Sequence, residues 1–138
     1  MKLYCDENIP PSLARGLEAL QQRLERIDGL HLEVVPFRDR FARGLADEDW
    51  IPEVGRERAI VMTHDTNLKR RRQQLALLQQ HGIRVVFIVR PSKRSSYWDT
   101  VVQVLRAWPR VRELVSANLE KPDLLITIPA SGKPKLSQ

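Results

Sequence analysis

Apolar residues fall along this chain in two rhythms, short unbroken runs and longer stretches spaced by threes and fours. Lys2 to Cys5, with Leu3 and Tyr4 at its centre, is a run of the first kind and predicts a buried strand ending at Asp6. Pro10-Pro11-Ser12 then opens a helix, and Leu13, Leu17, Leu20 and Leu24 mark the face it must cover. Leu32 to Pro36 predicts a second strand stopped by proline. Phe37 to Leu45 has little periodicity and reads as an arginine-rich, glycine-containing loop of the kind that lies over a site. Asp47-Glu48-Asp49 suits the positive end of a helix dipole, with Pro52 expected inside the first turn and the helix end near Gly55 to Arg58. Ala59 to Thr63 is a continuous apolar strand that delivers His64-Asp65-Thr66-Asn67 at its carboxyl end. Leu68 to Gln80 predicts a helix stopped by His81-Gly82, and Ile83 to Val89 a fourth strand. Ser96 to Leu119 carries Val101, Val102, Leu105, Trp108, Val111, Leu114 and Val115, a long helix expected to kink or split at Pro109. Leu124 to Ile128 predicts an edge strand.

This alternation of strand and helix predicts a three-layer α/β/α domain with a mainly parallel central sheet. Residues 1–130 are expected to form one domain, and residues 131–138 a flexible C-terminal tail. Sites in such sheets lie beyond the carboxyl ends of the strands, where strand order reverses. Asp6 and Asp65 are the residues that leave the first and third strands.

Composition narrows the chemistry. The chain has 138 residues, 42% of them hydrophobic, enough to cover a sheet with helices. Its single cysteine, Cys5, excludes an internal disulfide and any paired-cysteine zinc motif, and points to a reducing compartment. No uncharged apolar run approaches the about 18 residues needed to cross a bilayer, so a cytoplasmic protein without membrane association is expected. Lys and Arg number 23 against 17 Asp and Glu, a formal charge of +6 that favours polyanionic partners, nucleic acid among them.

Within this basic chain, three acidic groups stand out: Asp6-Glu7 after the first strand, Asp47-Glu48-Asp49 at a helix start, and Asp65 after the third strand. Any one of them alone is ordinarily a helix cap. Brought to one edge of a sheet, they would repel unless a cation sat among them. An oxygen-rich pocket of this kind suits Mg²⁺ or Mn²⁺, which could polarise a phosphodiester oxygen and acidify water without a nucleophilic side chain.

Four fragments in order carry a resemblance: Asp6-Glu7-Asn8-Ile9-Pro10-Pro11, Phe37-Arg38-Asp39-Arg40-Phe41 with Gly44, Asp47-Glu48-Asp49-Trp50-Ile51-Pro52, and Val61-Met62-Thr63-His64-Asp65. Over roughly residues 1 to 90 the sequence resembles the PIN-like domains of bacterial toxins in VapBC-type toxin–antitoxin modules. The resemblance implies a PIN-type α/β/α fold and a metal-dependent ribonuclease, often blocked by a cognate antitoxin and commonly dimeric. It places the acids of the family on Asp6, on Asp47 or Glu48, and on Asp65, with Glu7 as a further metal ligand. Many such domains carry another acid two residues after the third-strand aspartate, where this chain has Asn67. A degenerate domain that binds RNA or an antitoxin without cutting is therefore an alternative reading.

Around the acids, Lys69, Arg70, Arg71 and Arg72 follow the Asp65 loop, while Arg90, Lys93 and Arg94 follow the fourth strand; phosphate binding is their expected role. Arg38, Arg40 and Arg43 could clamp RNA or an acidic antitoxin segment. Asn8, Thr63 and Asn67 could orient water around a metal. His64 is ordinarily a packing or capping residue at such a strand end, as are His31 and His81 elsewhere. Cys5 reads as a small hydrophobe and Trp50 and Trp108 as core anchors, whereas Trp98 with Tyr97 flanks the basic stretch and could stack a base. A receiver-type phosphoacceptor domain would also present acids after its first and third strands. Its lysine could only be Lys93, after the wrong strand, and the high pI fits it poorly.

Overall fold

The computed structural model describes residues 1–64, 68–92 and 94–137, with the backbone alone for residues 68–71. Among these residues the order of elements is β1 (Lys2–Cys5), α1 (Pro11–Asp28), β2 (Glu33–Pro36), a 3-10 turn (Phe37–Asp39) and α2 (Asp47–Arg56). It continues with β3 (Ile60–Thr63), α3 (Leu68–Gln80), β4 (Arg84–Ile88), α4 (Tyr97–Ala117), β5 (Leu125–Ile128) and β6 (Lys135–Ser137). The strands form one sheet in the order β2-β1-β3-β4-β5-β6, parallel except for the antiparallel β5–β6 pair.

Alternation along each strand divides the interior into two layers. Leu3, Cys5, Ile60, Met62, Val86, Ile88, Ile126 and Ile128 pack with α1 and α4, while Tyr4, Val61, Val85 and Phe87 pack with α2 and the Leu78 turn of α3. Helices thus cover both faces of a mainly parallel sheet, the three-layer arrangement expected from the sequence. Burial pushes the Cys5 thiol up to about 12, which keeps it protonated and inert.

Four local expectations are corrected. Leu20 is exposed and Gln21 is buried in its stead, because the Gln21 carboxamide accepts from Trp108 Nε1 at 3.0 Å and from Arg112 at 2.9 Å and donates to the Leu32 carbonyl. Pro52 lies beyond the first turn of α2, whose neighbouring Trp50, Ile51 and Val54 are buried. Pro109 sits inside α4 without dividing it, since Trp108, Val111, Leu114 and Val115 anchor the helix on both sides of the missing N–H. The expected C-terminal tail contains β6, whose pairing with β5 makes β5 an inner strand.

Candidate functional site

Strand order reverses at β1, which pairs with β2 on one side and β3 on the other, so the crevice at the carboxyl edge lies between β1 and β3. The register that sets Cys5 opposite Met62 brings Asp6 beside Thr63. Asp6 N donates to the Met62 carbonyl at 3.0 Å, and Thr63 Oγ1 donates to Asp6 Oδ2 at 2.6 Å. The turn that follows closes on the same carboxylate: Asn8 N donates to Asp6 Oδ1 at 2.6 Å, and Ile9 N to the Asp6 carbonyl at 2.9 Å. His64 Nε2 lies 2.9 Å from the Asn8 carbonyl oxygen, a second tie between the end of β3 and this turn.

Burial pushes the Asp6 carboxyl above the ordinary aspartate range, and the Glu7 charge adds to the rise. Hydrogen bonds from Asn8 and Thr63, and the nearby His64, act the other way without cancelling it. Asp6 is therefore a fixed, largely desolvated carboxylate at the topological switch point, an arrangement that favours a proton or a cation in contact with it.

The remaining acids are placed differently. Asp47 and Glu48 are exposed on the first turn of α2, and Asp47 Oδ1 accepts from Trp50 Nε1 at 3.0 Å, one turn ahead. Glu7 is exposed, and Asn8 contributes its backbone, rather than its side chain, to the hydrogen bonds of the turn. Among the described residues no three His, Cys, Asp or Glu side chains converge as a metal-holding group. Asp65, Asn67 and Lys93 lie outside the described residues, as do the side chains of Lys69, Arg70 and Arg71.

Of the expected phosphate contacts, Arg38, Arg72 and Arg94 are exposed. Arg40 is exposed but its charge is engaged by its own fold: it pairs with Glu57 and with Glu53, donates to Tyr4 Oη, and lies over the Tyr4 and Phe41 rings. Arg90 likewise closes its own loop by donating to the Ser95 carbonyl at 2.6 Å. One feature of this edge was not anticipated from the sequence. Tyr97 Oη and Ser12 Oγ are 2.7 Å apart, tying the start of α4 to the start of α1. No local pattern signals a pairing across 85 positions.

The family model described as a PIN like domain matches residues 1–90. This segment runs from β1 past the end of β4 and includes Asp6, Asp47, Thr63 and Asp65. No curated protein and no solved structure matches the chain.

Proposed function

The chain belongs to the PIN-like domain family, and from that membership we propose that it is a metal-dependent endoribonuclease, the toxin of a toxin–antitoxin module, that hydrolyses RNA phosphodiesters with water. The observation that carries this reading is the desolvated Asp6 carboxylate, held by Thr63 and Asn8 at the reversal of strand order. Its donors are oxygens, which suits a hard dication that is bound through few carboxylates and keeps several of its waters. Asp6 with Asp65 and Asp47 or Glu48 would hold Mg²⁺ or Mn²⁺, with Glu7 as a further ligand. When bound, the ion supplies Lewis acidity toward the phosphodiester and acidifies water.

The chain's own residues do the rest. Thr63 and the Asn8 amide fix the rotamer of Asp6, so the carboxylate meets a cation without reorganising. Exposed Arg38, Arg72 and Arg94, with the basic start of α3 and Lys93, position the RNA backbone. A cognate antitoxin that carries an acidic segment, and a second copy of the chain, are the protein partners of this reading, and the cytoplasm is its place of action. Membership of the family favours it over a phosphoacceptor domain.

The neutral Asn67 favours a second reading, an RNA- or antitoxin-binding domain that does not cut. An RNA cleavage assay with Mg²⁺ and Mn²⁺ separates them. Cleavage that is lost on chelation and in Asp6→Asn supports the nuclease; binding without turnover by the wild-type chain supports the second reading.

A further inference from the structure

The C-terminal third of the chain, beyond residue 90, carries a surface that the proposed metal site does not use. One exposed stripe of α4 runs Trp98, Val102, Arg106 and Arg110, each one turn beyond the last. Between Val102, Arg106 and Arg110 of this stripe and residues 129–134, which lead into β6, lies an open groove of about 1230 Å³, with Trp98 just outside it. That is larger than the roughly 300–1,000 Å³ of pockets that enclose small molecules, and its length along the helix suits a polymer. Its two acidic residues are already committed. Asp99 completes the capping box with Ser96, and Glu113 pairs with Arg110 at 2.9 Å. Arg94, Arg106 and Lys133 line the same groove, are exposed, and have no ion pair among the described residues.

At the head of the stripe, Trp98 is 66% exposed and stacks against Tyr97 with ring centroids 6.0 Å apart. Tyr97 is itself fixed to Ser12, so the aromatic pair is tied to the start of the helix that follows Asp6 and stands one turn before Val102, where the stripe enters the groove. A large exposed ring, rigidly backed and followed by cations about 12 Å further along the helix axis at Arg106, is what a single-stranded polynucleotide requires: one face to stack on and charges to track its phosphates.

We infer that Trp98 is a base-stacking platform and that the groove between α4 and residues 129–134 binds the phosphate backbone of single-stranded RNA leading to Asp6. The inference takes the identity of the polyanion from the ribonuclease reading, but it concerns binding, which is measured without metal and is independent of cleavage. An acidic peptide would be drawn by the same charges yet has little use for the ring, so the aromatic pair decides for nucleic acid.

The test is tryptophan fluorescence of the full chain titrated with oligouridylate in the presence of a chelator. Trp50 and Trp108 are buried, so quenching reports Trp98. The expected result is saturable quenching that is absent in Trp98→Phe, and binding followed by anisotropy of a labelled oligonucleotide that is weakened about five- to hundredfold in Trp98→Ala. Arg106→Glu should weaken binding further and flatten its salt dependence, whose logarithmic slope is about −2 if three phosphates are neutralised. Both positions are exposed, and near-UV circular dichroism checks that the variants fold. Unchanged fluorescence, or Trp98→Ala and Arg106→Glu variants that bind as the wild type does, would overturn the inference. Polyglutamate that quenches Trp98 and competes as strongly as the oligonucleotide would overturn it too, assigning the groove to an acidic protein. Loss of cleavage in Asp6→Asn with quenching intact leaves the groove standing; quenching by a chain that never cleaves leaves it standing without the nuclease.

Discussion

Thr63 Oγ1 and Asp6 Oδ2, on neighbouring strands and 57 positions apart in sequence, are joined by a hydrogen bond of 2.6 Å. The bond exists because β1 and β3 are adjacent and in the register that sets Cys5 opposite Met62. It fixes a carboxylate that burial would otherwise leave poorly compensated, and its loss has a definite sign. In Thr63→Val the carboxylate loses a charge-assisted donor, which costs about 1.5–3 kcal/mol of stability at neutral pH. The Asp6 pKa moves further up, so on the proposed nuclease reading the acid limb of the cleavage profile shifts to higher pH. Thermal denaturation and a pH–rate profile check the two effects.

Asp6 itself should lower stability at neutral pH. A carboxyl whose pKa is raised on folding contributes stability below its unfolded value, and that contribution is lost as pH rises through the folded value. Asp6→Asn removes the charge, keeps an acceptor, and lets the Thr63 hydroxyl turn to accept from the new amide. The variant is expected to be more stable by about 0.5–2 kcal/mol at neutral pH, as when a functional carboxylate is neutralised. The gain should vanish below about pH 4, where the wild-type group is protonated in both states. Urea denaturation across this range measures it.

Asp28 has the opposite sign. It accepts from Arg112 Nε at 2.9 Å and from the Nη2 of the same guanidinium at 2.7 Å, and those bonds hold its carboxyl below the ordinary range. This stability is present above the unfolded carboxylate value and is lost as pH falls through the folded one. The Arg112 side chain is 0% exposed and Asp28 37%. Asp28→Ala should therefore cost about 2–3 kcal/mol at neutral pH, less than the roughly 3–5 kcal/mol of a fully enclosed pair, and the deficit should shrink in acid. Denaturant midpoints at neutral and acidic pH test this.

Gly55 lies in α2, where an added Cβ would stand 2.9 Å from the His81 carbonyl oxygen. Alanine gains about 1 kcal/mol in helix propensity, but a clash with backbone costs about 1–3 kcal/mol. The backbone cannot step aside as a flexible side chain would, so Gly55→Ala is expected to lower the thermal midpoint. An unchanged or raised midpoint would show that the contact between α2 and the turn at His81 yields.

Much of the fold was legible because β1, β3 and β4 carry unbroken apolar runs at residues 3–5, 60–62 and 85–88, the mark of strands buried on both faces. β6 was not, since Lys135-Leu136-Ser137 has no apolar pattern and owes its form to pairing with β5. Gln21 has the composition of a surface residue and is buried because Arg112 and Trp108, far along the chain, satisfy it. At the site, Asp6 could be picked out as the acid that ends a buried strand, and Thr63 as a polar residue at the end of another. Their contact needed the strand order. Arg40 shows the converse: within a basic loop it reads as a phosphate ligand, yet Glu57 and the Tyr4 hydroxyl, reached only through the tertiary fold, take up its charge.

The proposed role of Asp6 is to anchor a divalent ion at the β1–β3 crevice. Titrating the chain into Mn²⁺ and following the free-ion electron paramagnetic resonance signal tests this without reference to substrate. The wild-type chain is expected to deplete the signal saturably, and Asp6→Asn, folded by circular dichroism, to leave most of it in place. Equal depletion by the two proteins, or none by the wild type, would contradict it.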